Sequence, residues 1–242
     1  MPAAAKKSKS EKSEKSDVRY PYAMLVDLEG VGVAVRQAEF ETLCTVLEPY
    51  KVTMTPAAFV RHCLTGSPSQ YLGPLLDTLG ARVQPSRELA KEVENGIALY
   101  LSSPEAVPHP TVHALIQSAQ NRLEQVLITR RKAPQVEALV ERWDVPDAGL
   151  HVLAFEAEGD AFPAPDIWRR AAQSLARTPR HCIAVVGSRR AAKAALAAGL
   201  RCVAIPDEYT RFEDFGGVDM VVDDPGDVDP DELLTWLAPA TM

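Results

Sequence analysis

From Thr111 onward, short apolar runs alternate with amphipathic helical patterns, and this alternation limits the fold more than any other feature of the chain. The runs are Gln125-Val-Leu-Ile-Thr129, Leu150 to Phe155, His181-Cys-Ile-Ala-Val-Val186, Arg201 to Ile205 and Val218 to Val222. Helices are predicted over 111–121, 134–142, 167–176, 189–198 and 230–237. Short apolar runs with no helical period read as buried strands. Strands separated by helices are parallel and joined by crossovers that pack on the sheet.

One more strand lies far upstream. Ala23 to Val26 climbs through Met24 and Leu25 to an acid, Asp27, and Gly30 permits a tight turn after it. Between this strand and Thr111 the pattern is helical throughout. Residues 36–48 place Phe40, Leu43, Cys44 and Leu47 at helical spacing, and 57–64 give a second helix. Tyr71, Leu72, Leu75, Leu76 and Leu79 mark a third, and Leu89, Val93, Ile97 and Tyr100 a fourth over 86–101. The fold class is therefore α/β, a Rossmann-like doubly wound parallel sheet with an inserted α-helical domain. The expected boundaries are 20–35 with 108–242 for the core and 36–107 for the insertion. Residues 1–19, rich in Lys, Ser and Glu with nothing large to bury, are expected to be a disordered tail.

At 242 residues the chain can bury a full core. Its net charge is −7, although the tail up to Asp17 holds five Lys against three acids. So acidic a body argues against nucleic-acid binding, which relies on neutralising phosphates. No apolar stretch reaches membrane-spanning length and no apolar leader is visible, so a cytoplasmic protein without membrane contact is expected. Cys44, Cys63, Cys182 and Cys202 form no metal-type pair and read as reduced, buried residues. His109 and His113 are four apart, but Pro110 between them argues against a metal motif.

Ligands of open α/β sheets bind at the carboxyl ends of the strands. Four such ends supply Asp27, Thr129, the loop before Pro163, and Gly187-Ser188. Cations follow two of them: Arg130-Arg131-Lys132 after Thr129, and Arg189-Arg190 at the start of a helix that Ser188 is expected to cap. A helix N-terminus suits an anion. Gly187-Ser-Arg-Arg-Ala-Ala-Lys193 lacks the Gly-Lys-Ser/Thr ending of a nucleotide phosphate loop.

The chain resembles the haloacid dehalogenase-like (HAD) hydrolase superfamily, and most of all its β-phosphoglucomutase and phosphoglycolate phosphatase-like subgroup, whose helical cap follows the first motif. The resemblance covers about residues 22–237. It is carried by Met24-Leu-Val-Asp27, by Thr129, and by Pro163-Ala-Pro-Asp-Ile167. Cys182-Ile-Ala-Val-Val186 and Ala194-Ala-Leu-Ala-Ala-Gly199 follow in the same order and spacing. It implies an Asp nucleophile that forms an aspartyl-phosphate, a second Asp two residues on as acid/base, and a hydroxyl and a Lys on the phosphoryl oxygens. It also implies Mg²⁺ held by the first Asp, a backbone carbonyl and acids at the fourth strand end. The expected ligand is a small phosphorylated metabolite.

Matched residue by residue, Asp27 takes the nucleophile position and Thr129 the phosphate-binding one. Glu29 stands where the second Asp belongs, one methylene longer. Asp27 and Glu29 are the remaining candidate metal ligands. Phe162 replaces the Lys, and Val186 and Gly187 replace the metal-binding acids. Asp160 is a further acid near this loop, with no role required by its spacing. Arg61, His62, Ser67 and Tyr71 occupy the region that selects substrate in the family. These departures predict a weak or inactive phosphatase, a pseudoenzyme. If it is active, the chain is an Mg²⁺-dependent phosphoric-monoester hydrolase. The alternative is a metal-independent module that binds phosphate, a sugar phosphate or a protein, using Arg130, Arg131, Arg189 and Arg190, with Ser188 as a further phosphate ligand. No particular protein partner is indicated.

Overall fold

The computed structural model describes residues 20–143, 145, 150–156, 162–224 and 228–238. The expected tail, 1–19, and Asp160 lie outside the described residues. Six parallel strands form one sheet: β1 (Ala23–Asp27), β2 (Glu124–Thr129), β3 (Leu150–Ala154), β4 (Cys182–Val186), β5 (Arg201–Ala204) and β6 (Met220–Val221). Their order is β3-β2-β1-β4-β5-β6. β1 lies between β2 and β4, with Val26 opposite both Leu127 and Val185. The order therefore reverses at β1, which places the ligand crevice of this fold at the ends of β1 and β4.

Successive strand residues face opposite sides, and the two sides differ in size. Met24, Val26, Leu127, Ile183, Val185 and Val203 face one way. Here they meet the helices α5 (Pro110–Ala119), α6 (Ala133–Val140) and α9 (Pro230–Leu237). The other side carries Leu25, Val126, Ile128 and Val186 together with the smaller Ala23, Cys182, Ala184, Cys202 and Ala204. They admit α7 (Pro165–Ser174) and the alanine-rich α8 (Arg189–Ala198), with Trp168 filling the space between. Alanines on the buried face of α8 let the helix lie close to this sheet face. The four cysteines are unpaired, and all but Cys44 are buried.

The inserted block consists of α1 (Val35–Leu47), α2 (Pro56–His62), α3 (Pro68–Thr78) and α4 (Arg87–Ser102). Its helix starts are set locally. Thr55 accepts a hydrogen bond from the Ala58 N–H, Ser86 accepts one from Leu89, and Ser67 and Gln70 form a capping box. Leu43, Leu47, Phe59, Leu72, Leu76, Val93 and Ile97 belong to the same apolar cluster as the first sheet face. Phe59 also stacks on Tyr209 from the loop after β5, with ring centroids 4.8 Å apart. The chain leaves the sheet at Val33–Ala34 and returns before α5, where the His109 N–H donates to the Gly32 carbonyl at 2.9 Å. Both crossings are thus tied together beside the turn that follows Asp27. Among the described residues no helix is long and apolar enough to cross a membrane.

Two sequence expectations change. The segment after Asp27 is no tight turn but one wide, π-type turn, Leu28–Gly32, and Gly30 has no positive φ. A side chain at Gly30 would displace the Asp27 carboxylate, which folds back over it: a Cβ there would lie 2.2 Å from Asp27 Oδ2. The last strand is two residues long rather than five. The Val218 N–H turns back to the Phe215 carbonyl, and Asp219 uses its side chain as well as its backbone on Cys202.

Candidate functional site

Asp27 ends β1 at the reversal of strand order, and its side chain is buried. Its Oδ1 accepts the Gly30 N–H at 3.0 Å. Removal from water pushes its carboxyl up from 3.8 to about 7. Glu29 adds to the rise, while Arg36, the Gly30 N–H and Arg130 oppose it. Asp27 lies in the wall of a cavity of about 90 Å³, along with Glu29, Arg36, Glu39, Arg130 and Arg190. Phe162, Pro163 and Ser188 also line it.

Glu29 crosses to β2. The Thr129 hydroxyl donates to Glu29 Oε1 at 2.6 Å, and the Arg130 N–H donates to the same oxygen at 3.3 Å. Arg131 Nε stands 3.8 Å from it. Thr129 in turn accepts the Arg131 N–H at 2.9 Å. Burial pulls the Arg131 guanidinium below its usual value, and Glu29 counters that pull.

Two residues that sequence reasoning passed over complete the pocket. Arg36 Nη1 donates to the Gly30 carbonyl at 2.9 Å and to Asp207 Oδ2 at 2.6 Å. Glu39, one turn further along α1, accepts the Tyr71 O–H at 2.5 Å. Burial is the main reason its carboxyl is raised. The only signal in the sequence was their spacing, three apart on one helical face.

The structure brings Asp27, Glu29, Arg130 and Ser188 to one pocket, and Thr129 reaches it through Glu29. Ser188 caps α8, its Oγ accepting the Ala191 N–H at 3.3 Å. Arg189 is not in the pocket: its side chain is exposed and its backbone N–H binds Glu213 Oε2. Arg190 lines the cavity instead. Arg61, His62 and Tyr71 line an adjoining space of about 450 Å³ that Arg190 also borders. Ser67 is spent as the cap of α3.

Mg²⁺ requires near-octahedral oxygen ligands, usually including carboxylates. The residues here do not fit it. Val186 is buried in the apolar cluster under α8. A Cβ on Gly187 would stand 2.0 Å from the Gly30 carbonyl oxygen, so backbone fills the space an acid there would need. Glu29 Oε1 is taken by the Thr129 hydroxyl, and the neighbouring Gly30 carbonyl by Arg36. Among the described residues no three His, Cys, Asp or Glu side chains converge as a metal site.

A Rossmann-like sheet with an acid at the tip of its first strand and a helical block inserted directly after it defines a class, the capped α/β proteins of the HAD type. Protein CbbY of Cereibacter sphaeroides is 32% identical over 177 residues, 69% of this chain and 68% of the relative. The crystal structure of CbbY from Rhodobacter sphaeroides in complex with phosphate has a TM-score of 0.67 at 22% identity. It covers 85% of this chain and 95% of the other. A mutant of that protein in complex with xylulose-(1,5)bisphosphate gives the same values. β-Phosphoglucomutase from Clostridium difficile also has a TM-score of 0.67, at 15% identity over 89% of this chain and 96% of the other. No family model matches. The chain belongs to the haloacid dehalogenase-like hydrolase superfamily, in its β-phosphoglucomutase and phosphoglycolate phosphatase-like subgroup.

Proposed function

We propose that this chain binds a small phosphorylated molecule, of the sugar-phosphate class, without a metal ion, and hydrolyses it weakly or not at all. The observation that carries the reading is the closed contact between Gly187 and the Gly30 carbonyl, beside which Arg36 rather than an acid faces the Asp27 turn. Three arginines, Arg36, Arg130 and Arg190, line the cavity. Burial meanwhile drives Asp27 and Glu39 towards their neutral forms. The balance favours an anion. At about 90 Å³ the cavity suits a phosphate group rather than a whole metabolite, and the adjoining space of about 450 Å³ would take the rest. Phosphate and xylulose-(1,5)bisphosphate, bound by the CbbY structures, fit that class.

The second reading keeps hydrolysis, with Asp27 as nucleophile and Glu29 as acid/base. The position of Asp27 in the fold favours it. The two are separated by measuring hydrolysis of p-nitrophenyl phosphate and a panel of sugar phosphates, with and without Mg²⁺, beside Asp27→Asn. Equal background rates in both proteins are expected. Metal-dependent turnover that is lost in the variant would overturn the binding-only reading.

A further inference from the structure

At the tip of β2 the chain offers a set of donors suited to an oxyanion: the Thr129 hydroxyl, the Arg130 N–H and the Arg131 guanidinium. The first two donate to one atom, Glu29 Oε1, at 2.6 and 3.3 Å, and Arg131 Nε stands 3.8 Å from the same oxygen. A carboxylate already sits where an exogenous anion would. Glu29 reaches it because its side chain is one methylene longer than Asp. We propose that Glu29 is an internal stand-in for the ligand's anionic group, and that phosphate binds at the end of β2 by displacing it. This rests on the reading of the pocket as a phosphate site.

Two further observations give the displacement a direction. Glu29 is nine-tenths buried, yet its Oε2 has no hydrogen-bond partner among the described residues. Arg131 Nε is buried and likewise makes no hydrogen bond among the described residues. A buried polar atom left unpaired is costly. A planar carboxylate bound through one oxygen serves only part of this donor set. A tetrahedral oxyanion presents more acceptors and pairs Thr129 and Arg131 Nε together. Glu29 also lines the 90 Å³ cavity, so its side chain has a place to turn where Oε2 meets water. Binding then competes with an intramolecular contact, and apparent affinity falls by the fraction of molecules in which the contact is open.

The test is calorimetric titration of inorganic phosphate, in EDTA, into the natural protein, Glu29→Ala, Glu29→Asp, and Glu29→Ala combined with Thr129→Val. Glu29→Ala is expected to bind about tenfold tighter or more, the gain produced when the open form is a tenth of molecules or fewer. Adding Thr129→Val is expected to cancel the gain. Glu29→Asp separates displacement from simple repulsion. It keeps the charge but falls a methylene short of Thr129, so displacement predicts tighter binding and repulsion predicts none. It also decides the matter should Glu29→Ala fail to fold. If the natural protein binds phosphate and neither variant binds tighter, the stand-in role is wrong and the binding function stands. If only the variants bind, the stand-in role holds and the binding function of the natural chain falls. If none binds, both fall.

Discussion

Replacing Asp27 with asparagine is expected to stabilise the fold, and by more as the pH rises. Asn keeps an oxygen to accept the Gly30 N–H now held at 3.0 Å, but it carries no charge to be buried. The folded carboxyl titrates near 7 against an ordinary 3.8. Between those values the folded state holds a proton that the unfolded chain has released. Stability therefore falls as pH rises through that window, since the unfolded state binds fewer protons. Below 3.8 the full contribution is present, and above about 7 it is lost. A gap of about three pH units at ~1.36 kcal/mol each sets a ceiling of about 4 kcal/mol. The Asp27 pocket opens to solvent, so the variant should gain about 2–4 kcal/mol at pH 8 and much less at pH 5. Urea unfolding of both proteins at the two pH values measures this, because titrations common to both cancel in the difference. A gain that is the same at pH 5 and pH 8, or a loss at pH 8, would refute the argument that burial governs this carboxyl.

Two other substitutions test the frame around the site. Gly187→Asp, which puts back an acid at the end of β4, is expected to destabilise by about 2–3 kcal/mol because its Cβ meets the Gly30 carbonyl. It should confer no Mg²⁺-dependent hydrolysis of p-nitrophenyl phosphate. A variant as stable as the natural protein and newly active with Mg²⁺ would show that the two turns part easily. Arg36→Met keeps the apolar stem but breaks the half-buried pair with Asp207 and frees the Gly30 carbonyl. A loss of about 1–2 kcal/mol in urea unfolding is expected, below the full value of a charged hydrogen bond because Asp207 is partly solvated. An unchanged midpoint would mean that the pair does not hold α1 to the loop after β5.

How much could be read in advance depends on the range of the interaction. The sheet was legible because burial on both faces forces continuous apolar runs such as Ala23 to Val26 and Cys182 to Val186. The helix that Ser188 caps was legible because the cap lies within a few residues of what it binds. Which of two adjacent arginines faces the pocket was not. Arg189 and Arg190 are about 100° apart around a helix, and only the packing of α8 decides between them. Glu29 and Thr129 are a hundred positions apart, so their bond depends on β1 lying beside β2. The role of Gly187 was equally hidden. Its sequence position suggested only a missing carboxylate, whereas a carbonyl from another loop has moved into the space.

The meeting of Gly187 with the Gly30 carbonyl also bears on how this sequence can change. Substitutions in direct contact do not add. Here an acid at 187 is tolerated only after the Leu28–Gly32 turn has moved, and that turn is held by Arg36 and, through Gly32, by His109. Placing a carboxylate at this strand end is thus the last of several steps, each without benefit until the others are in place. The order of mutations matters as much as their identity.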